Sequence, residues 1–521
     1  MPPVEILRLV LLLMGACVLL ALAARRLRVP PAAAYVLGGG ALALLPGVPA
    51  LRLDPDLALT LFLPPLLMSS AFFTDWRAFR ANLRPILLLA VGYVAFTTAV
   101  VAVAARLLVP GLPWAACFAL GAIVSPPDAV AAEAVLSRLP VPRRLVVVLL
   151  GESLVNDASG LVLYRFAVAA ALSGAFSPAR AAATFVLVAV GGVAIGLAVA
   201  ACLVWVLRRL HDTALEIAAS FLAAWASYVA ADELGVSGVL STVACGLLLG
   251  GRQHEALSSR TRLDAQATWG FVTFVLEALV FVLIGLSLHG VLGRLGVQGT
   301  LALLPTALAI TLAVVAARPV WVFPATYLPR LLIPAVRRGD PYPPPRLPAA
   351  ISWAGMRGVV SLAVALALPE GFPGRDAILV TTFVVIVVTV LVQGTTLGPL
   401  LRALGLLDAA PAESGEDPAR AAVILAQVRH LEARSAEPGH RDAARSLLPY
   451  YRQIAGLRLG GMREEGRARL RLRLEALEAG RGELLRLNRA GEVEAQAMQA
   501  VERELDLEEA QLRRRLGESE D

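Results

Sequence analysis

Apolar residues run in long blocks over most of this chain, and the polar residues fall between the blocks. A helix of about twenty apolar residues spans the hydrocarbon layer of a bilayer. Runs of that kind lie near 4–24, 30–47, 56–73, 84–109, 114–136 and 143–172. A second set lies near 179–207, 213–231, 235–251, 268–290, 300–329, 347–369 and 375–405. The pattern predicts an all-α membrane protein with about 13 transmembrane helices over 1–407; the short, glycine-rich runs 30–47 and 235–251 fit the criterion least well. From 408 the pattern changes. Pro411, Glu413, Ser414, Gly415, Glu416, Asp417 and Pro418 read as a chain leaving the membrane. Beyond them, 421–433 and 461–516 are rich in Arg, Glu, Leu and Ala, with Leu470, Leu474, Leu477, Leu484 and Leu487 at helical steps. Residues 408–521 are thus expected to form a charged helical tail, a solvent-laced hairpin or coiled coil, with regulation or a dimer contact as the sharper alternative.

Charge supports the same division. The tail carries 19 Arg and 22 Asp or Glu, nearly half of the charges in a 521-residue chain that is 58% apolar. Every one of the 47 basic residues is Arg. A coding bias explains that choice, and the net charge of +7 does not point to nucleic acid, because these residues sit in loops beside spans. With the N-terminus outside, the alternate loops on the inside hold Arg25, Arg26, Arg28, Arg77, Arg80, Arg84, Arg138, Arg143 and Arg144. They also hold Arg208, Arg209, Arg252, Arg260, Arg262, Arg330, Arg337, Arg338 and Arg346. Only Arg52, Arg106, Arg180, Arg294 and Arg375 fall outside. That asymmetry predicts a multi-pass protein of the cytoplasmic (inner) membrane with its tail in the cytoplasm. Arg25, Arg26 and Arg28 follow the first run, so that run reads as an uncleaved span and not a signal peptide. Cys17, Cys117, Cys202 and Cys245 lie in apolar segments with no CxxC spacing, which suits small buried or lipid-facing residues.

Three polar words interrupt the apolar runs. Ser125-Pro126-Pro127-Asp128 must break its helix, because two prolines remove backbone donors and clash with the preceding turn. A break in lipid persists only where protein or a polar cavity satisfies the freed carbonyls. Carbonyls near Val124 and Ser125 are therefore candidate cation ligands, and Asp128 would open the next half-helix; the bland alternative is a proline kink that Asp128 caps. In the next run Glu152 and Asn156 share a helical face, with Ser153 one turn before Asp157 and Asp157 about 100° further round. Intramembrane carboxylates are functional candidates by default. Oxygen-rich, part-anionic ligand sets suit hard, weakly held cations. A buried carboxylate also lets protons compete with a cation. Gly355-Met356-Arg357-Gly358 sets two glycines around a charge in a later run, and Arg318, beside Pro319, is a second intramembrane cation. The residues leave open which acid pairs with which arginine. With 179–207 as a linker, the interrupted spans 114–136 and 347–369 are each fifth in a set of six, the expected pointer to a midplane site built from two inverted six-helix repeats.

Enzyme signatures fail. Gly151-Glu152-Ser153-Leu154-Val155 lacks the closing glycine of a nucleophile elbow. His254-Glu255 has no second histidine at zinc-protease spacing. Gly38-Gly39-Gly40 sits inside a span and reads as helix packing.

The chain resembles the bacterial sodium/proton exchangers of the monovalent cation:proton antiporter-1 family. The likeness runs through Phe62-Leu63-Pro64-Pro65-Leu66-Leu67, Asp75-Trp76-Arg77, Ser125-Pro126-Pro127-Asp128-Ala129-Val130, Gly151 to Asp157, Gly355-Met356-Arg357-Gly358-Val359-Val360-Ser361-Leu362-Ala363 and Gln393-Gly394. It covers about 5–405. The resemblance implies a thirteen-helix, inverted-repeat antiporter with a dimerisation half and a mobile core half, usually a homodimer. It implies that Asp157 is the carboxylate that binds the transported metal cation and the proton, with Asn156 beside it and electroneutral one-for-one exchange. It pairs Glu152 with Arg318, puts Arg357 at the second helix break, and makes Ser125 and Ser153 auxiliary oxygen ligands, with Asp128 at the first break. Two departures stand out: Ser69 and Ser70 occupy positions where an acidic residue is common, and the acid of the first break follows both prolines.

The expected function is secondary antiport of a monovalent cation, Na+ foremost, for H+, without a cofactor or nucleic-acid partner. K+ or Li+ is an alternative cargo. A cation channel or an ion or pH sensor on the same scaffold is the competing class.

Overall fold

The computed structural model describes residues 3–27, 29–44, 55–136, 139–174, 178–210, 212–407, 416–437, 439–459, 464–489 and 495–516. Arg28, Arg52, Arg138 and the stretch Pro411 to Gly415 lie outside the described residues. All regular secondary structure among the described residues is helical. The chain divides into two compact units, Met1–Ala409 and Ala410–Asp521.

In the first unit, seven helices among the described residues are long and apolar enough to cross a membrane. They are Leu83–Leu108, Arg143–Ser173, Ala181–Leu207, Thr213–Glu233, Ser259–Ser287, Gly293–Leu332 and Arg375–Ala403. Pro31–Ala43, Thr60–Phe72 and Trp114–Val124 are shorter apolar helices. The runs near 268–290 and 300–329 follow one another in a nearly continuous helical stretch, Ser259–Leu332. Gly296 separates them by adopting φ +66°, a backbone conformation that a residue without Cβ takes at little cost.

Between lipid tails there is no hydrophobic drive to pair helices, so close packing depends on small residues. Pro31–Ala43 lies along Ser259–Ser287 on that principle. A Cβ at Gly39 would collide with the Val282 carbonyl, and one at Gly285 with the Val36 carbonyl and the Gly40 amide. Pro178–Leu207 packs on Gly238–Ala256 in the same way, with Gly196 against the Ser241 carbonyl.

Two helices are broken midway. Trp114–Val124 ends, residues 125–128 are unwound, and Ala129–Leu136 resumes. Arg346–Trp353 ends, residues 354–358 are unwound, and Val359–Leu366 resumes. Two long helices beside them each widen into a π segment, Leu88–Tyr93 and Thr389–Gln393.

The second unit consists of helical hairpins. Glu416–Arg434 and Arg441–Leu459 enclose Ile424, Val428 and Leu448. Glu464–Arg489 and Ala495–Leu516 are laced by Arg473–Glu508 at 2.7 Å and by Arg481 bridging Asp506 and Glu509 at 2.5 and 2.7 Å. Such exposed pairs contribute little each. The buried leucines carry the packing.

The backbone contact at Gly285 has a measurable consequence. Gly285→Val should destabilise the purified protein by about 1–3 kcal/mol or more, since overpacked contacts force the backbones apart. An unchanged thermal unfolding midpoint in detergent would contradict the close approach of these helices.

Candidate functional site

The two unwound stretches meet. The Asp128 amide donates to the Met356 carbonyl at 2.7 Å, joining one break to the other through the backbone. Gly358 permits the approach, because a Cβ there would overlap the Asp128 carboxylate. Asp128 is half-buried and immediately precedes the half-helix Ala129–Leu136, where the amide ends favour negative charge.

Arg357 holds this crossing together. Its side chain is 1% exposed, and its Nε donates to the Val124 carbonyl at 2.7 Å while Nη1 donates to the Gly355 carbonyl. One guanidinium thus satisfies a freed carbonyl from each break. Its Nη2 donates to the Tyr93 hydroxyl at 2.6 Å, and its backbone amide donates to Thr389 Oγ1 at 3.0 Å. Tyr93 closes one π segment and Thr389 opens the other. π segments recur at functional sites, and here both turn a polar group toward the same arginine. The Val124 carbonyl, a candidate cation ligand in the sequence, is therefore occupied by a guanidinium.

The acids of the helix Arg143–Ser173 separate by environment. Glu152 is 1% exposed and accepts two hydrogen bonds from Arg318, at 2.7 and 2.8 Å, in fork geometry. Arg318 Nε donates to the Ile351 carbonyl at 3.0 Å, and its guanidinium lies over the Tyr93 ring at 4.8 Å. Bidentate arginine–carboxylate pairs are among the strongest polar contacts a protein forms. Asp157, five residues on, is half-buried, and among the described residues no side chain donates to it. Asp128 lies close enough to act on it electrostatically.

Asn156 docks on the first break. Its Nδ2 donates to the Pro127 carbonyl at 2.6 Å, so the amide orientation is set by an acceptor-only partner. Its Oδ1 is then left buried, without a hydrogen-bond partner among the described residues. A buried polar atom without a partner calls for an explanation, and an unseen ion is one. Gly160, one turn further, lies against the Pro126 ring and keeps helix and break in contact.

The two serines differ in place. Ser125 is fully buried; its hydroxyl accepts from Thr98 Oγ1 at 3.1 Å and sits 3.4 Å from the Ala122 carbonyl. Ser153 is half-buried, one turn before Asp157. The structure thus gathers Asn156, Asp157 and Asp128 at the crossing, ties Glu152 to Arg318 beside it, and turns Ser125 toward Thr98.

Sequence reasoning overlooked Tyr93, Thr98 and Thr389, which carry no spacing signal. It also overlooked two acids it had the means to find. Glu133 and Glu277 sit inside apolar runs, as Glu152 does, and both lie within Coulombic range of Asp128. Glu133 is exposed and Glu277 half-buried.

Crossed, unwound helices set in long apolar spans, beside a carboxylate with no side-chain donor among the described residues, have the architecture of a secondary transporter. The transmembrane family model described as sodium/hydrogen exchanger matches residues 10–403, and the chain belongs to that family. An uncharacterized Na+/H+ exchanger of Mycobacterium bovis is 38% identical over 387 residues, 72% of this chain and 70% of that protein. A sodium, potassium, lithium and rubidium/H+ antiporter of Bacillus pumilus is 34% identical over 367 residues, covering 67% of this chain and 54% of its own length. The sodium proton antiporter MjNhaP1 of Methanocaldococcus jannaschii shares the fold, with a TM-score of 0.59 at 20% identity over 77% of this chain and 99% of that one.

The Glu152–Arg318 pair can be tested alone. Removing one partner of a buried pair costs about 3–5 kcal/mol, because the other charge is stranded. Arg318→Gln should therefore unfold the purified protein at much lower temperature, and adding Glu152→Gln should recover part of the loss. Equal melting temperatures for wild type and Arg318→Gln would contradict the pairing.

Proposed function

We propose that this chain exchanges a monovalent cation, Na+ foremost, for H+ across the cytoplasmic membrane, the two competing for Asp157. One observation carries the reading: among the described residues Asp157, beside the crossing, has no arginine on it, while Glu152 is neutralised by Arg318. A carboxylate inside a membrane needs a counter-charge, and either a proton or a cation supplies one. A cation bound at Asp157 would also find Asn156 Oδ1 and the Asp128 carboxylate nearby, with Ser125 and Ser153 as auxiliary oxygens.

Competition for one carboxylate also fixes the charge carried. Whether Asp157 leaves with a proton or with a monovalent cation, the loaded site holds the same net charge, which supports electroneutral one-for-one exchange. Desolvation selects against an empty, ionised site, so the unloaded state is unfavourable to transport and leak is suppressed. Arg357 and the two breaks would move as one body, because the arginine binds carbonyls of both. In this reading the chain crosses the membrane thirteen times as two inverted six-helix repeats, functions as a homodimer, starts outside and ends in a cytoplasmic tail. The name of the Bacillus pumilus relative includes potassium and lithium, which favours a cargo broader than Na+ alone.

Asp157→Asn removes the titrating oxygen while keeping size. In proteoliposomes with an internal pH dye, it should reduce Na+-driven proton movement to the level of protein-free vesicles; undiminished exchange would refute the assignment. Deleting residues 412–521 should leave exchange measurable, as expected of a transporter with an accessory tail. Loss of exchange in a stably folded truncation would favour a sensor in which the tail is essential.

A further inference from the structure

Away from the crossing, three arginines from three different spans converge on one carboxylate. Arg84 begins Leu83–Leu108, Arg144 begins Arg143–Ser173, and Arg330 closes Gly293–Leu332. Arg84 Nη2 reaches Asp340 Oδ2 at 2.6 Å, and Arg144 Nη2 lies 2.9 Å from both Asp340 oxygens. Arg330 Nη2 reaches Oδ2 at 2.5 Å, and its Nε donates to the Asp340 carbonyl at 3.1 Å. Three span ends held by one residue must share one membrane boundary.

The charges do not balance there. Asp340 supplies one negative charge to three guanidinium groups, leaving an excess of two. Arg330 is buried and its donors are used by Asp340 and the Thr326 carbonyl. Arg84 and Arg144 are about a third exposed, and among the described residues each is hydrogen-bonded through Nη2 alone. Both line a crevice with Arg330, and the rest of its lining is mostly apolar, including Leu88, Val148, Val322, Leu347 and Ile351, with Thr326.

A crevice lined by arginines and apolar side chains, at the end of membrane spans, matches a molecule with an anionic head and a hydrocarbon tail. Guanidinium forks recognise phosphate oxygens in bidentate geometry. Basic pockets between transmembrane helices are recognised sites for acidic lipid headgroups. We propose that this crevice binds one anionic phospholipid, its phosphate on Arg84 and Arg144 and an acyl chain along Leu88, Val148 and Val322. A small anion would use the arginines alone and leave the apolar lining uncovered. The site is coupled to the crossing by the chain itself: Arg144 opens the helix bearing Asp157, and Asp340 precedes the broken helix Arg346–Trp353.

The test uses the full-length protein in neutral detergent, with native mass spectrometry for bound lipid and thermal unfolding as a second readout. Phosphatidylglycerol should remain bound and raise the unfolding temperature, whereas phosphatidylcholine of the same chains and inorganic phosphate should not. Arg84→Gln with Arg144→Gln should weaken phosphatidylglycerol binding about ten-fold or more, as expected for losing charge-assisted hydrogen bonds. Arg337→Gln with Arg338→Gln, exposed and outside the crevice lining, should leave it unchanged. If the first double variant is too unstable to purify, Arg84→Gln alone serves, with an intermediate loss expected. Equal retention of phosphatidylglycerol and phosphatidylcholine would overturn the proposal. So would undiminished binding to the Arg84 variants, or an equal stabilisation by inorganic phosphate, which would mark a free-anion site.

Discussion

A helix broken in the middle of a bilayer has carbonyls that neither water nor lipid can satisfy, and everything at this site follows from how they are satisfied. Arg357 gives one donor to Val124, ahead of the first break, and one to Gly355, inside the second. The same side chain is fixed by Tyr93 from one flanking helix and, through its backbone amide, by Thr389 from the other. A single buried cation therefore holds four elements at one point. Its cost of desolvation is offset by hydrogen bonds to backbone dipoles and to the Tyr93 hydroxyl, and it shares the Tyr93 ring with Arg318.

That arrangement makes room for a division of labour between two acids on one helix. Glu152 and Asp157 differ by five residues, which turns them to different faces. Glu152 meets an arginine and becomes part of the frame. Asp157 lies within electrostatic reach of another acid, Asp128, and the buried Oδ1 of the adjacent Asn156 has no hydrogen-bond partner among the described residues. On the proposed reading, a cation and a proton compete for Asp157 beside the two broken helices.

Much of this was legible in the sequence, for physical reasons. Pro126-Pro127 cannot sit in a continuous helix, and glycines around Arg357 weaken theirs, so both breaks could be placed by residue number. Intramembrane charge is rare enough that Glu152, Asp157, Arg318 and Arg357 stood out. The residues alone did not give the partner of each arginine, because pairing depends on helix rotation and tilt; the pairing of Glu152 with Arg318 came from the family resemblance. Nor did they give the π segments, which insert a residue into a turn without a composition signal. Tyr93 and Thr389 became visible only once those segments turned them inward. Glu133 and Glu277 carried less signal: each is a single acid flanked by apolar residues, Glu133 five positions past the Ser125-Pro126-Pro127-Asp128 break and Glu277 in a run with no such break.

The most direct measurement of competition at Asp157 is proton release on cation binding, followed with a pH dye in weakly buffered, purified protein as Na+ is added. Ligand oxygens must be deprotonated to bind a metal ion, so binding should displace about one proton per Na+ at pH values where Asp157 is protonated. Release should vanish at high pH and in Asp157→Asn. Na+ binding that releases no proton at any pH would contradict a shared site.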